Sequence, residues 1–305
     1  MSSVEGLTVV APAKVTLSLR VLGTRSDGFH ELEALVVAAS DPHDVVALRR
    51  IPRGVELHLG GPMAAGVPID DTNLAVRAAR AVVEVAEVSA GTSAGLSVTL
   101  TKNIAAGGGL GGGSSDAAAV LRAAGVMLGV DQGAQHEIAT ELGSDVPVCL
   151  IGGAAWMRGR GEWVDPVELD DLLDVVIVTP PFGCSTPLVF QAYDDLYAGS
   201  SRSVRRARTV SAPAAVSRLI GELVNDLEPA AERVEPRLVA LRDELHEVAG
   251  VEALLAGSGS TFTICATDAE HAHWMAQRIA KSLDVRACRA TAPVQSNDSL
   301  GSAGV

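Results

Sequence analysis

The run Gly107-Gly108-Gly109-Leu110-Gly111-Gly112-Gly113-Ser114-Ser115-Asp116 lies between a strand-like segment, Leu96 to Thr101, and a helix-like segment, Ala117 to Leu128. Six glycines in seven positions cost folding entropy, roughly 0.5–1 kcal/mol each relative to alanine. A flexible Gly/Ser linker has no need of apolar segments closing in on both sides, and this run has them. Backbone free of side chains lets successive N–H groups converge on an anion. A helix beginning at the serines points the positive end of its dipole at the same place. The run therefore reads as a phosphate cradle.

No lysine follows the glycines, so the cradle is not a Walker A loop. The pattern G-x-G-x-x-G does occur through Gly107, Gly109 and Gly112, with Asp131 at about the spacing of a ribose contact, which keeps a nicotinamide-dependent oxidoreductase as an alternative. That match is weak. In a dinucleotide fold the acid ends a second strand, whereas Asp131-Gln132-Gly133 reads as the cap of a helix running to Leu142.

With 305 residues, 48% of them hydrophobic, the chain can bury two modest cores, and two domains are expected. A formal charge of −13 argues against a nucleic-acid surface, so any bound polyanion has to be met locally. Cys149, Cys184, Cys265 and Cys288 are scattered among apolar or small residues, the pattern of reduced thiols and not of a disulfide frame or zinc site. The start Met1-Ser2-Ser3-Val4-Glu5 has no basic leader, and nowhere do eighteen uncharged apolar residues run together. A soluble cytoplasmic protein without membrane partners is expected.

Segments Leu7–Val10, Val15–Val21, Leu32–Val37, Val45–Arg49 and Val55–Leu59 alternate or are β-branched and read as strands in hairpins. A long helix is predicted over Asn73–Val88, capped from Asp71-Thr72, and a strand over Val146–Ile151. Further on, the pattern predicts a strand at Val175–Thr179 and helices at Pro187–Tyr197, Pro213–Val224 and Glu235–Val248. A strand pair, Ala253–Leu255 and Thr261–Cys265, brackets a second glycine turn, Gly257-Ser258-Gly259-Ser260; helix Ala269–Lys281 and strand Val285–Arg289 follow. The tail from Thr291 to Val305 is small and polar and is expected to be disordered.

Ala11-Pro12-Ala13-Lys14 places a lysine between two of these strands, and Gly143-Ser144-Asp145-Val146-Pro147 exposes an aspartate between a helix and a strand. Phosphoryl transfer from ATP to an alcohol needs a phosphate cradle, a cation on the migrating group and a carboxylate to receive the alcohol proton. Either residue alone would be an ordinary loop charge; the combination is what carries weight.

These stretches, with Asp27-Gly28-Phe29-His30-Glu31-Leu32 and Gly257-Ser258-Gly259-Ser260-Thr261, occur in the order found in the GHMP kinases, and the chain resembles that superfamily over about residues 8 to 290. The Asp27–Leu32 stretch narrows the resemblance to the branch acting on a CDP-linked methylerythritol. The resemblance implies an α+β, two-domain GHMP kinase fold. A ribosomal-S5-like amino-terminal domain would span 1–165, a ferredoxin-like carboxy-terminal domain 166–290 and the tail 291–305, with the site between the domains. It implies transfer of the γ-phosphate of ATP to a 2-hydroxyl, in non-mevalonate isoprenoid precursor synthesis.

Carried over by motif, Asp145 is the base and Lys14 its partner, touching both the carboxylate and the incoming phosphate. Residues Gly107, Gly108, Gly109, Leu110, Gly111, Gly112, Gly113, Ser114 and Ser115 hold ATP. The magnesium ion travels with the nucleotide, and Ser114 or Ser115 could reach it. Phe29 and Phe190 match an aromatic clamp for the cytosine and His30 reads its edge; stacking on such rings is worth about 1–3 kcal/mol per base. Asn225-Asp226-Leu227-Glu228 matches a segment read as structural.

Three positions depart from the family pattern. Thr16 stands where asparagine is usual, Phe29 replaces a tyrosine, and Ala105 replaces the proline before the cradle. Thr16 falls on the strand face of Lys14, which leaves open a GHMP kinase for another small alcohol, such as a sugar, homoserine or mevalonate. His271 and His273 beside Glu270 read as a solvated helix end and not a metal site, and the basic island Arg202, Arg205, Arg206, Arg208 as a solvated face.

Overall fold

The computed structural model describes residues 5–91, 93–198 and 223–294. The basic island lies outside them, as does the helix expected over 213–224 except for its last two residues, which are not helical.

Two sheets make up the scaffold. The first is built on strand β2 (His30–Ile51), long enough to carry β1 (Gly6–Thr24) along one edge and two partners along the other. β5 (Ala154–Gly159) pairs with Leu32–Val37 and β4 (Gly95–Thr101) with Val45–Ile51. β3 (Gly54–Gly60) extends the sheet beyond β4 in parallel, and β6 (Trp163–Val167) beyond β5. Ala11–Lys14 is not a connection between strands, as the sequence suggested: β1 runs through it, absorbing Pro12 by a register shift between Pro12 and Ala13. A bulge is where a strand tolerates a residue with no N–H to give.

Helices α1 (Leu74–Ala90) and α2 (Gly112–Leu128) cover one face of this sheet. In α2 the small side chains of Ala117, Ala118 and Ala119 are completely buried, so the helix lies close on the sheet and its amino-terminal end is held rigidly. α1 begins at Leu74, one residue later than predicted, and its cap is not Asp71-Thr72 but Asn73, whose side chain accepts the Ala75 N–H at 2.9 Å.

The second sheet is antiparallel, in the order β10 (Arg286–Ala292), β7 (Leu173–Thr179), β9 (Phe262–Cys265), β8 (Leu254–Leu255). Helices Glu228–Val234, Arg237–Ala249 and Ala269–Ser282 pack with it, and α5 (Thr186–Tyr197) joins the same core. That core includes Leu19, Val21, Leu32 and Ala34 of the first sheet together with Val176, Val178 and Phe262 of the second, so apolar packing spans the two sheets. Burying the leucine, valine and phenylalanine side chains among these contributes about 1.5–3 kcal/mol each.

The expected disorder does not begin at Thr291. Thr291 and Ala292 complete β10, and Val294 donates to Ala38 O while accepting from Gly153 N, tying the chain back to the first sheet. Residues 295–305 lie outside the description. Among the described residues no helix is long and apolar enough to cross a membrane.

Candidate active site

The cradle leaves β4 and enters α2, whose first residue is Gly112, two residues before the serines at which the helix was expected to start. Its glycines are explained by what they touch. At Gly109 (φ +81°) a Cβ would sit 2.8 Å from the carbonyl oxygens of Ala256 and Gly259; at Gly111 (φ +64°) it would sit 2.6 Å from Lys14 Cγ. The second glycine turn, between β8 and β9, thus packs directly on the first, and Thr261 N donates to Gly108 O at 3.1 Å. Asn225 holds that turn through its amide, which donates to Leu255 O and Gly257 O, while the Asp226 carboxylate accepts Val21 N. The structural part given to this segment by sequence is the part it plays.

Lys14 sits against the cradle, its N–H donating to Leu110 O at 3.0 Å. Its Nζ lies 3.1 Å from Asp145 Oδ2 and 3.4 Å from Thr16 Oγ1, so residues 131 positions apart (145 − 14) meet at the mouth of the cradle. Asp145 does not precede a strand. Val146–Ile151 is a short helix, α4, with Asp145 at its amino-terminal boundary. Pro147 suits a first helical turn and cannot donate to a ladder, and a six-residue apolar run has no periodicity to separate a buried helix from a strand. Beneath the pair, burial and then the Asp145 carboxylate push the Cys149 thiol up to about 12, so it stays protonated and is no nucleophile.

Lys14, Thr16, Ser114 and Asp145 line a cavity of about 800 Å³ that continues to Phe29, His30 and Phe190. The turn carrying Phe29 is set by Gly28 (φ +85°), and Asp27 Oδ1 accepts the Phe29 N–H at 3.2 Å. His30 stacks on Phe190 with centroids 4.9 Å apart and planes at 27°, and its Nε2 lies 2.7 Å from Asp194 Oδ1. Phe29 is half exposed and has the Arg160 guanidinium over its ring at 5.2 Å. The two phenylalanines of the expected clamp therefore line one cavity, each with a polar neighbour on its ring.

A second cavity, about 330 Å³, is lined by Val67, Thr72, Asn73, Lys102 and Asp116 together with Gly107, Gly109, Leu110, Gly111, Gly112, Gly113 and Ser114. Gly108 and Ser115, expected among the ATP ligands, line neither of these two cavities. Gly108 is in contact with Thr261, and Ser115 donates its hydroxyl to Pro12 O at 2.7 Å. Ser114 faces both. Asp131 caps the helix Gln132–Leu142 by accepting Ala134 N at 3.0 Å, which removes the ribose contact the oxidoreductase alternative required.

Sequence reasoning missed the charges beneath the cradle. Lys102, at the end of β4, is buried between the carboxylates of Asp44 and Asp116 and bonded to both. Asp44 also accepts the N–H groups of Asn103 and Ile104. One ammonium cannot neutralise two carboxylates. Burial outweighs the attraction of Lys102 and pushes Asp116 up to about 7, and its Oδ1 has no hydrogen-bond partner. Among the described residues, no three of His, Cys, Asp and Glu are grouped to hold a metal ion.

A profile of the GHMP kinases N terminal domain matches residues 73–153, which contain α1, the cradle, Asp145 and α4. The 4-diphosphocytidyl-2-C-methyl-D-erythritol kinase of Pelotomaculum thermopropionicum is 36% identical over 278 residues, covering 89% of this chain and 93% of its own. A crystal structure of a 4-(cytidine 5'-diphospho)-2C-methyl-D-erythritol kinase superposes with a TM-score of 0.71 at 32% identity, over 94% of this chain and 99% of that one. A homoserine kinase from Cytophaga hutchinsonii, at 20% identity and TM-score 0.69 over 97% of both chains, shares the fold.

Proposed function

The chain belongs to the 4-diphosphocytidyl-2-C-methyl-D-erythritol kinase family of the GHMP kinases, and from that premise we propose how its residues carry out the transfer. It is an ATP-dependent kinase of isoprenoid synthesis, with the CDP-linked polyol as its acceptor. The observation that carries the assignment of roles is the Lys14–Asp145 pair at 3.1 Å, at the junction of the cradle and the cavity holding His30 and Phe190.

ATP lies with its phosphates along Gly107–Ser114 at the start of α2. The cytosine enters among Phe29, His30 and Phe190, and the polyol between them brings its 2-hydroxyl to Asp145. Asp145 accepts the hydroxyl proton as the oxygen bonds to the γ-phosphorus and the bond to the β–γ bridging oxygen breaks. A weak base suffices when the transition state is loose, because the proton leaves late. The Lys14 ammonium faces the migrating group and the carboxylate together, offsetting the charge that develops on the phosphoryl oxygens.

Ser114 is the residue that would hold a nucleotide-bound magnesium ion. It lines both cavities, while the hydroxyl of Ser115 is committed to Pro12. The ion supplies neutralisation of phosphate charge when bound. Thr16 contributes a hydroxyl where an amide is usual, and its Oγ1 accepts from Lys14 Nζ at 3.4 Å, which aims the ammonium.

The test is phosphorylation of 4-CDP-2-C-methyl-D-erythritol by purified protein with ATP. Asp145→Asn is expected to lower kcat by about 10²–10⁴-fold with little change in either KM. Undiminished turnover in that variant would remove Asp145 from the proton transfer, and a wild-type protein that phosphorylated only sugars, homoserine or mevalonate would move the acceptor to another alcohol.

A further inference from the structure

The cavity holding the proposed cytosine site is lined by three basic side chains, Lys14, His30 and Arg160. Two are committed: Lys14 faces Asp145 and His30 faces Asp194. Arg160 makes no ion pair among the described residues; its guanidinium rests on the Phe29 ring at 5.2 Å. A charged head parked on an aromatic face keeps its N–H fork open to an anion.

The backbone that carries Arg160 is fixed. It forms the tight turn between β5 and β6, where Gly159 and Gly161 both have positive φ and Gly161 packs against Ser144, the neighbour of Asp145. The Arg160 N–H donates to Glu162 Oε2 at 2.6 Å, and Glu162 Oε1 accepts from Arg25 at 2.9 Å, joining the turn to the loop that presents Phe29 and His30. A rigid turn thus holds one uncommitted cation between the residues proposed for the cytosine and those proposed for proton transfer.

We infer that Arg160 binds the diphosphate that links cytidine to the polyol, and so sets both the affinity and the reach of the substrate. The inference rests on the cytidine reading above. A nucleoside diphosphate diester carries about two negative charges into a cavity where Lys14 and His30 already face carboxylates, and guanidinium meets phosphate oxygens through two parallel hydrogen bonds. The same arginine fixes the diphosphate against Phe29, which places the linked polyol toward Ser144 and Asp145.

The experiment compares cytidine, CMP and CDP as calorimetric ligands of the full chain, saturated with a non-hydrolysable ATP analogue to occupy the cradle, in wild type, Arg160→Gln and Arg160→Lys. Wild type is expected to bind CDP more tightly than cytidine. Arg160→Gln should lose about 10- to 100-fold of CDP affinity, leave cytidine affinity within about threefold, and raise KM for the CDP-linked substrate with KM for ATP unchanged. Arg160→Lys should recover part of the loss. Arg160 is exposed, so an unaltered melting temperature will confirm that the fold is retained. If Arg160→Gln keeps the full gap between CDP and cytidine, the inference is overturned while the cytidine site stands; if wild type binds neither, the cytidine site and the inference fall together.

Discussion

His30 and Asp194 are bonded through Nε2 and Oδ1 at 2.7 Å, one turn of α5 beyond the Phe190 ring on which His30 stacks. An ionised carboxylate can only accept, so the proton of a neutral His30 belongs on Nε2 and Nδ1 is left as an acceptor. An acceptor suits the exocyclic amine of cytosine and repels the carbonyl that uracil has there. Asp194→Ala is expected to raise KM for the CDP-linked substrate by about 3- to 10-fold and to narrow its preference over the UDP-linked analogue, leaving KM for ATP alone. Steady-state kinetics with both substrates check this; an unchanged preference would mean that Asp194 does not orient the imidazole.

Lys14→Met removes the ammonium and keeps much of the packing against Gly111. Since Asp145 is partly solvated, losing its partner strands no fully buried charge, and stability should change by no more than about 1 kcal/mol. Turnover should fall by about 10²–10³-fold, because stabilisation of charge on the migrating phosphoryl group acts in the transition state. Denaturant melts run beside single-turnover rates separate the two. A large loss of stability with a modest loss of rate would recast Lys14 as a structural residue.

The cradle was legible in the sequence because its demands fall on neighbouring residues: Gly107, Gly109 and Gly111 hold positive φ, and a Cβ at Gly109 or Gly111 would collide with Gly259 or Lys14, so glycines accumulate in a row. Lys14 and Asp145 were legible only as members of a set. Their meeting depends on β1 running unbroken through Pro12, which the local pattern contradicted. Asp194 could have been found, since it lies four residues after Phe190 on one helix face. Lys102, Asp44 and Asp116 could not. They come from a strand, the residue that follows another strand, and a helix, and no spacing signals that three ordinary charges converge under a loop.

Gly111 tests how tightly the cradle is coupled to the lysine. An alanine there must adopt φ near +64° and place its Cβ 2.6 Å from Lys14 Cγ. The backbone alone costs about 1–2 kcal/mol, and relieving the contact displaces the Lys14 side chain from Asp145. Gly111→Ala is therefore expected to lose about 2–8 °C in Tm and to lose more activity than that destabilisation explains. Gly129→Ala makes the control. It has φ +76° and open space around the position, so it carries similar strain at the far end of α2 and should destabilise without touching turnover.

The buried charges beneath α2 give the protein a pH dependence of stability with a definite sign. Asp116 titrates near 7 in the folded chain and near the ordinary carboxylate value of 3.8 when unfolded. The folded state therefore binds the extra proton between these values. The stabilisation is complete below about pH 4 and is lost as pH rises through 7, the reverse of an ordinary salt-bridged aspartate. Asp116→Asn keeps the shape and a hydrogen bond acceptor but cannot ionise, so its stability should lack this decline. Urea unfolding of both proteins at pH 5 and pH 8 should show the variant gaining on wild type by about 2 kcal/mol over that interval. A constant difference would place the surplus charge of the cluster elsewhere than on Asp116.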